Sequence, residues 1–118
     1  MHGRRVGRLE EQLRMELSEI IERELQDPRI SLVTVTSVKI SPDLSLARVF
    51  VTVLGGAEER KRALQGLKSG AGYVKRSLSK RLHHLRRIPD IVFNYDETIE
   101  KDARIEELFN KIKSETEP

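Results

Sequence analysis

No cysteine occurs among the 118 residues, which excludes both a disulfide framework and a thiolate metal site. Tryptophan is also absent and aromatic residues make up only 4% of the chain, so material for base-stacking platforms is scarce. Nothing approaches the ~20 consecutive apolar residues of a membrane span. The opening stretch MHGRRVGRLEEQL lacks the apolar run of a secretory signal. The expectation is a soluble cytoplasmic protein with no membrane partner. A last absence is local: residues 60–89 contain ten Lys or Arg and no acid, although the chain as a whole carries a net charge of only +3. The flanking segments are acidic on balance, with 8 basic and 10 acidic side chains in residues 1–59 and 4 basic and 9 acidic in residues 90–118. A basic island set in an acidic chain is the electrostatic footprint of a polyanion binder.

A chain of this length accommodates one domain, residues 1–118, with a core of modest size. Val6, Leu9, Leu13, Leu17, Ile20, Ile21 and Leu25 recur at three- and four-residue steps, predicting an amphipathic helix with its glutamates outward. Pro28 ends it by pushing Asp27 out of the α region. SLVTVTSVKI is rich in β-branched residues and reads as a strand. The turn SPDLS follows, with Pro42 and Asp43 in turn-forming positions. LARVFVTVL then alternates, Ala47, Val49, Val51 and Val53 facing one way and Arg48, Phe50 and Thr52 the other, which makes an antiparallel hairpin. Ala63, Leu64 and Leu67 begin a second helical stripe, and Val74, Leu78, Leu82 and Leu85 resume it beyond two glycines. Pro89 turns the chain into a short strand from Ile91 to Tyr95. A last helix is expected from about Ala103, capped by Asp102 and presenting Ile105, Leu108, Phe109 and Ile112, before a frayed tail at residues 114–118. The order α-β-β-α-(break)-α-β-α is that of an α+β domain.

The break lies at Gly70, Ala71 and Gly72. Glycine costs a helix interior about 1 kcal/mol relative to alanine, so two of them predict an interruption. The unscreened N–H groups of the helix that restarts there would favour a phosphate. The Gly66–Gly70 spacing points instead to close packing. Beyond the break, Arg76, Lys80, His83 and Arg87 fall at i, i+4, i+7 and i+11 on the side opposite the apolar stripe. Lys75 and Arg86 stand on one flank and Arg81 on the other. Like charges at i, i+4 repel mildly, and a ladder of one sign that accepts this repulsion suggests phosphate contacts. His83 and His84 point about 100° apart on a helix and cannot share a metal in the manner of an i, i+4 pair; no metal, cofactor or small-molecule substrate is expected. The carboxylates Asp90, Asp96, Glu97, Glu100 and Asp102 have no histidine or cysteine among them and read as a solvated face. Arg4, Arg5 and Arg8 sit where the first helix begins, an end that disfavours cations, and residues 1–5 read either as a flexible basic arm that wraps RNA or DNA or as a disordered terminus.

Element order resembles the type II K-homology fold, whose helix–turn–helix usually carries a GxxG loop that clamps the nucleic-acid backbone. This chain has no GxxG there. DPRI, VTVTSVKISPDLSLARVFVTVLG, GAGYVKRSLSKRL and RRIPDIVFNYDETIE…RIEELF together resemble the bacterial ribosome-binding factor A family, in which an Ala-x-Gly-type interruption replaces that loop. Gly70 stands where the family usually has alanine, and RLHHLRR is one residue longer than the family spacing before the proline. The resemblance implies a monomeric, non-enzymatic, cytoplasmic assembly factor. It would bind free 30S subunits and 16S rRNA during late maturation and 5′ processing, above all in the cold. Gly70, Ala71, Gly72, Lys75, Arg76, Lys80, Arg81, His83, Arg86, Arg87, Arg4, Arg5 and Arg8 are the expected RNA contacts. The rival readings are a module whose basic face docks an acidic protein, and a metal-dependent hydrolase built on the C-terminal carboxylates.

Overall fold

A computed structural model describes residues 3–98, 108, 111 and 112. Helix α1 spans Arg4–Arg23 and a single 3-10 turn covers Pro28–Ile30. Strands β1 (Val33–Ile40) and β2 (Leu46–Val53) precede helix α2 (Ala57–Arg81), and strand β3 (Asp90–Tyr95) follows it. The sheet order is β1-β2-β3, antiparallel between β1 and β2 and parallel between β2 and β3. Both helices cover one face of this sheet, which gives the expected α+β architecture. Among the described residues no helix is long and apolar enough to cross a membrane.

The core follows the periodicities. Leu13, Leu17 and Ile20 of α1 and Leu67, Val74 and Leu78 of α2 are fully buried against Ala47, Val49 and Val51 of β2. Each buried Leu, Ile or Val contributes roughly 1.5–3 kcal/mol through removal of its surface from water. Asp27 is extended, as the proline after it requires, and its carboxylate caps the 3-10 turn by accepting the Arg29 N–H at 2.9 Å. In the hairpin turn the Asp43 carboxylate accepts from the Ser45 N–H and from the hydroxyls of Ser41 and Ser45. Those bonds, the Ser45 hydroxyl first, pull its pKa down to about 2.

Three expectations fail. The first is the break: α2 runs without interruption through Gly70, Ala71 and Gly72, so no second N-terminus and no free N–H groups exist there. Ala63 and Leu67 on one side and Val74 and Leu78 on the other are fully buried, and their packing outweighs the propensity cost of two glycines. Close approach is required at Gly66, with Gly70 and Gly72 in ordinary contact. A Cβ on Gly66 would lie 2.9 Å from Cγ2 of Ile30 and 3.2 Å from the Asp27 carboxylate, and one on Gly70 would touch Leu25 at 3.4 Å.

Secondly, α2 ends at Arg81, six residues before the expected ladder does. Leu82 leaves the helix at φ −114°, ψ 46°, and the chain folds back so that Leu82, Ile88 and Pro89 can be buried ahead of β3. Thirdly, the glutamates of α1 do not all point outward. Glu10 is buried and accepts the Ile40 N–H at 2.8 Å. Glu16 and Glu24 turn into the seam with α2. Most of the helix expected from Ala103, with Asp102, Ile105 and Phe109, and the tail at 114–118, lie outside the described residues. Leu108, Lys111 and Ile112 are helical.

Candidate nucleic-acid interface

α1 and α2 are antiparallel, because Arg81 meets Glu16, Glu19 and Glu24 while Gly70 meets Leu25. α1 is also antiparallel to β1, since Glu10 reaches Ile40 and Ile21 lines a cavity with Val33 and Val35. The first turn of α1, the turn at residues 41–45 and the segment 82–89 therefore share one end of the fold. Asp90 N–H donating to the Ser45 carbonyl at 2.9 Å ties two of them together. Arg4, Arg5, Arg8, Lys80, Arg86 and Arg87 all belong to this pole. Each is exposed, and none has an ion pair among the described residues.

Of the acids at the same end, Glu11 is paired with Arg14 and Asp90 with the Lys75 ammonium, while Asp43, held by two serine hydroxyls, keeps its single negative charge. The Lys75 hydrogen bond and charge keep the Asp90 carboxyl below its ordinary range. What the pole offers solvent is thus a surplus of positive charge, which attracts polyanions and is felt over a Debye length of about 8–10 Å.

The predicted residues divide accordingly. Arg76 and Lys80 are exposed on the outer side of α2, as the helical wheel requires. His83, Arg86 and Arg87 are exposed but stand on a loop, where the α-helical phase has ended. His83 and His84 rings lie edge to face, 6.2 Å apart, in the turn after α2. Arg4 and Arg5 are the first helical residues of α1 rather than an extended arm, and that end has neither a side-chain cap nor an acid in its first turn. Gly70, Ala71 and Gly72 form no phosphate cradle. Ala71 instead lines a groove of about 550 Å³ between α2 and the edge of β3, floored by Leu64, Ile91 and Phe93 and rimmed by Lys61 and Lys68.

Two of the predicted cations are spoken for. Lys75 holds Asp90. Arg81 is a seam residue: its guanidinium donates to Glu16 at 2.8 Å and Glu24 at 2.6 Å, with Glu19 at 3.4 Å. Glu24 also accepts from the hydroxyls of Tyr73 and Ser77, each at 2.8 Å. Those bonds, led by the one from Arg81, hold the Glu24 carboxyl below its ordinary range, and the two glutamates push Arg81 further up. The cations that the sequence reading passed over are Lys39 and Arg48, both exposed and directly opposite each other across β1 and β2.

A sequence model of the family described as ribosome-binding factor A matches residues 5–109. The ribosome-binding factor A of Brevibacillus brevis is 44% identical over 117 residues, covering 99% of this chain and 96% of the relative. That of Desulfitobacterium hafniense is 46% identical, covering 99% and 93%. Among solved structures, the crystal structure of ribosome-binding factor A from Thermus thermophilus is 33% identical with a TM-score of 0.67, covering 76% of this chain and 94% of that one. A homology model of the T. thermophilus factor, fitted into a cryo-EM map of a 30S complex, gives 34% and 0.63, covering 75% and 92%. With a family match running almost end to end and the same fold in its relatives, the chain belongs to the ribosome-binding factor A family.

Proposed function

We propose that this chain is a non-enzymatic assembly factor that binds the small ribosomal subunit, with 16S rRNA as its direct ligand and late maturation, including 5′ processing and growth in the cold, as its setting. Family membership supports the subunit, since a model of the Thermus relative was fitted into a cryo-EM map of its complex with the 30S subunit. One observation carries the RNA: six exposed cations gather at one pole where the local acids are bonded to other groups. Arg86, Arg87, Lys80 and Arg76 contact phosphates, with Arg4, Arg5 and Arg8 beside them and His83 as a supplementary donor. The factor acts as a monomer in the cytoplasm and needs no cofactor. Lys75 and Arg81 serve the fold that presents these groups. The phosphate term of such a surface is independent of base sequence and strongly salt-dependent.

Fractionation of cell extract on sucrose gradients tests this reading. The protein should co-migrate with free small subunits at low salt, leave them at high salt, and be absent from translating ribosomes. Co-migration that resists high salt, or a protein confined to the top of the gradient, would contradict it.

A further inference from the structure

The face of the sheet turned away from both helices carries its own chemistry. Ser37 with Phe50 and Lys39 with Arg48 are the pairs that point outward in the lower part of the hairpin. On β3, Val92 lies beside Arg48 and Asn94 beside Phe50. Lys39, Arg48, Val92 and Asn94 are exposed and Phe50 is half-buried. Like charges directly opposite in an antiparallel pair are destabilising, and an acid at either outward position would cost the core nothing. Neither cation has an ion pair among the described residues, and Asp90, the acid diagonal to Arg48, is held by Lys75.

Phe50 adds a second feature. With Ser37, Lys39, Tyr95, Asp96, Glu97 and Thr98 it lines a cleft of about 370 Å³, large enough for a nucleobase. Along the strands Lys39 rims the cleft on one side of Phe50, and Asp96 and Glu97 rim it on the other; the Asp96 carboxylate accepts from the Thr36 hydroxyl and the Thr98 N–H. An acidic peptide carries its charge on the very side chains that would enter the cleft, and these meet repulsion at the second rim. A nucleotide separates its charge from an uncharged, stackable base. Phosphates on the Lys39–Arg48 side and a base in the cleft suit both rims at once.

We infer that the outer face of the sheet is a second RNA-binding site, where Lys39 and Arg48 hold phosphates of a single-stranded segment and Phe50 stacks one of its bases. The site rests on the reading of the chain as an RNA binder but involves none of the pole residues. Lys39 and Arg48 flank the turn at residues 41–45, so a strand leaving the pole reaches them directly. A sheet that stacks even one base gives the chain a means of preferring unpaired RNA, which phosphate contacts alone do not provide.

The test uses the full chain and a ten-nucleotide single-stranded RNA carrying one 2-aminopurine, with circular dichroism confirming the fold of every variant. Wild type should bind the oligonucleotide and change its fluorescence through stacking. Lys39→Ser with Arg48→Ser should weaken binding roughly tenfold at 0.1 M salt and flatten the log–log salt slope by about 1.4, two phosphates at 0.7 each. Phe50→Leu should abolish the fluorescence change and cost about fivefold or more in affinity, the low end for a lost base stack. An unchanged affinity and slope in the Lys39/Arg48 variant would overturn the inference, as would a wild-type chain that fails to bind the oligonucleotide. A fluorescence change that survives in folded Phe50→Leu would do the same. If Phe50→Leu does not fold, the serine pair decides alone. Arg86→Ser with Arg87→Ser, measured alongside, separates the two sites: loss there with no loss in the Lys39/Arg48 variant keeps the pole and removes the sheet.

Discussion

Arg81 and Arg86 carry the same group five residues apart, and the fold uses them in opposite ways. Arg81 lies in the α1–α2 seam, only 26% exposed, gripped by Glu16 and Glu19 of the neighbouring helix and by Glu24 just past its end. Arg86 stands on the following loop, exposed, with no ion pair among the described residues. A guanidinium that has already exchanged water for carboxylates has little left to offer a phosphate, whereas one still solvated by water can release counterions on binding. Charge counted along the sequence does not separate these two states. What separates them is whether an acid from elsewhere in the chain arrives at the same place.

The sharpest way to break the comparison is Arg81→Met. It leaves Glu16, Glu19 and Glu24 facing one another without a cation and should destabilise by roughly 2 kcal/mol, the scale of a lost charge-assisted hydrogen-bond pair at a partly solvated site. RNA affinity of the folded variant should barely move. The Glu24 carboxyl is lowered in the folded state, so its contribution is present above the ordinary carboxylate pKa and fades as pH falls through the lowered value. Urea midpoints from pH 6 down to pH 3 should therefore show a shallower acid loss in Arg81→Met than in wild type.

Gly66→Ala comes next in size. Helix propensity favours it by about 1 kcal/mol, but the new methyl would sit 2.9 Å from Ile30, and overpacking of that kind costs about 1–3 kcal/mol. A net loss in thermal melting is expected. Gly72→Ala reverses the sign, because its Cβ meets only the flexible end of Arg76 at 3.4 Å, and the helix should gain about 0.5–1 kcal/mol. The smallest effect belongs to Lys75→Met. Its partner Asp90 is exposed, so melting should shift within error, while the freed Asp90 carboxylate makes the pole less positive and weakens RNA binding slightly.

Much of this was legible before any coordinates. The stripe of α1, the inward Ala47, Val49, Val51 and Val53, the Asp43 turn and the strand to Tyr95 all follow from periodicity and turn chemistry. The uninterrupted α2 was not, because a glycine's local cost is visible in sequence and the neighbour it makes room for is not. The sequence of β1 also encodes a phase slip. Val33 and Val35 face inward, and so do Val38 and Ile40, three residues on; only a bulge at Thr36 reconciles the two sets, as the register shift between Val35 and Ser37 shows. For the candidate site, the exposure of Arg76 and Lys80 was legible from the helical phase and that of Arg86 and Arg87 from their charge. The pairing of Arg81 and Lys75 was not, since Glu24 and Asp90, their partners, lie 57 and 15 residues away.

The salt dependence of binding to purified small subunits tests the central claim most directly. Wild type and Arg86→Glu with Arg87→Glu are titrated from low to high salt at equal temperature, with melting curves to confirm that both are folded. If the exposed pole holds phosphates, the double reversal should flatten the log–log slope by roughly 1.4–1.8 and lower affinity at least tenfold at 0.1 M salt, with melting unchanged. An affinity and slope equal to wild type would show that these cations face only water, and the account of the pole as the RNA-binding end would be wrong.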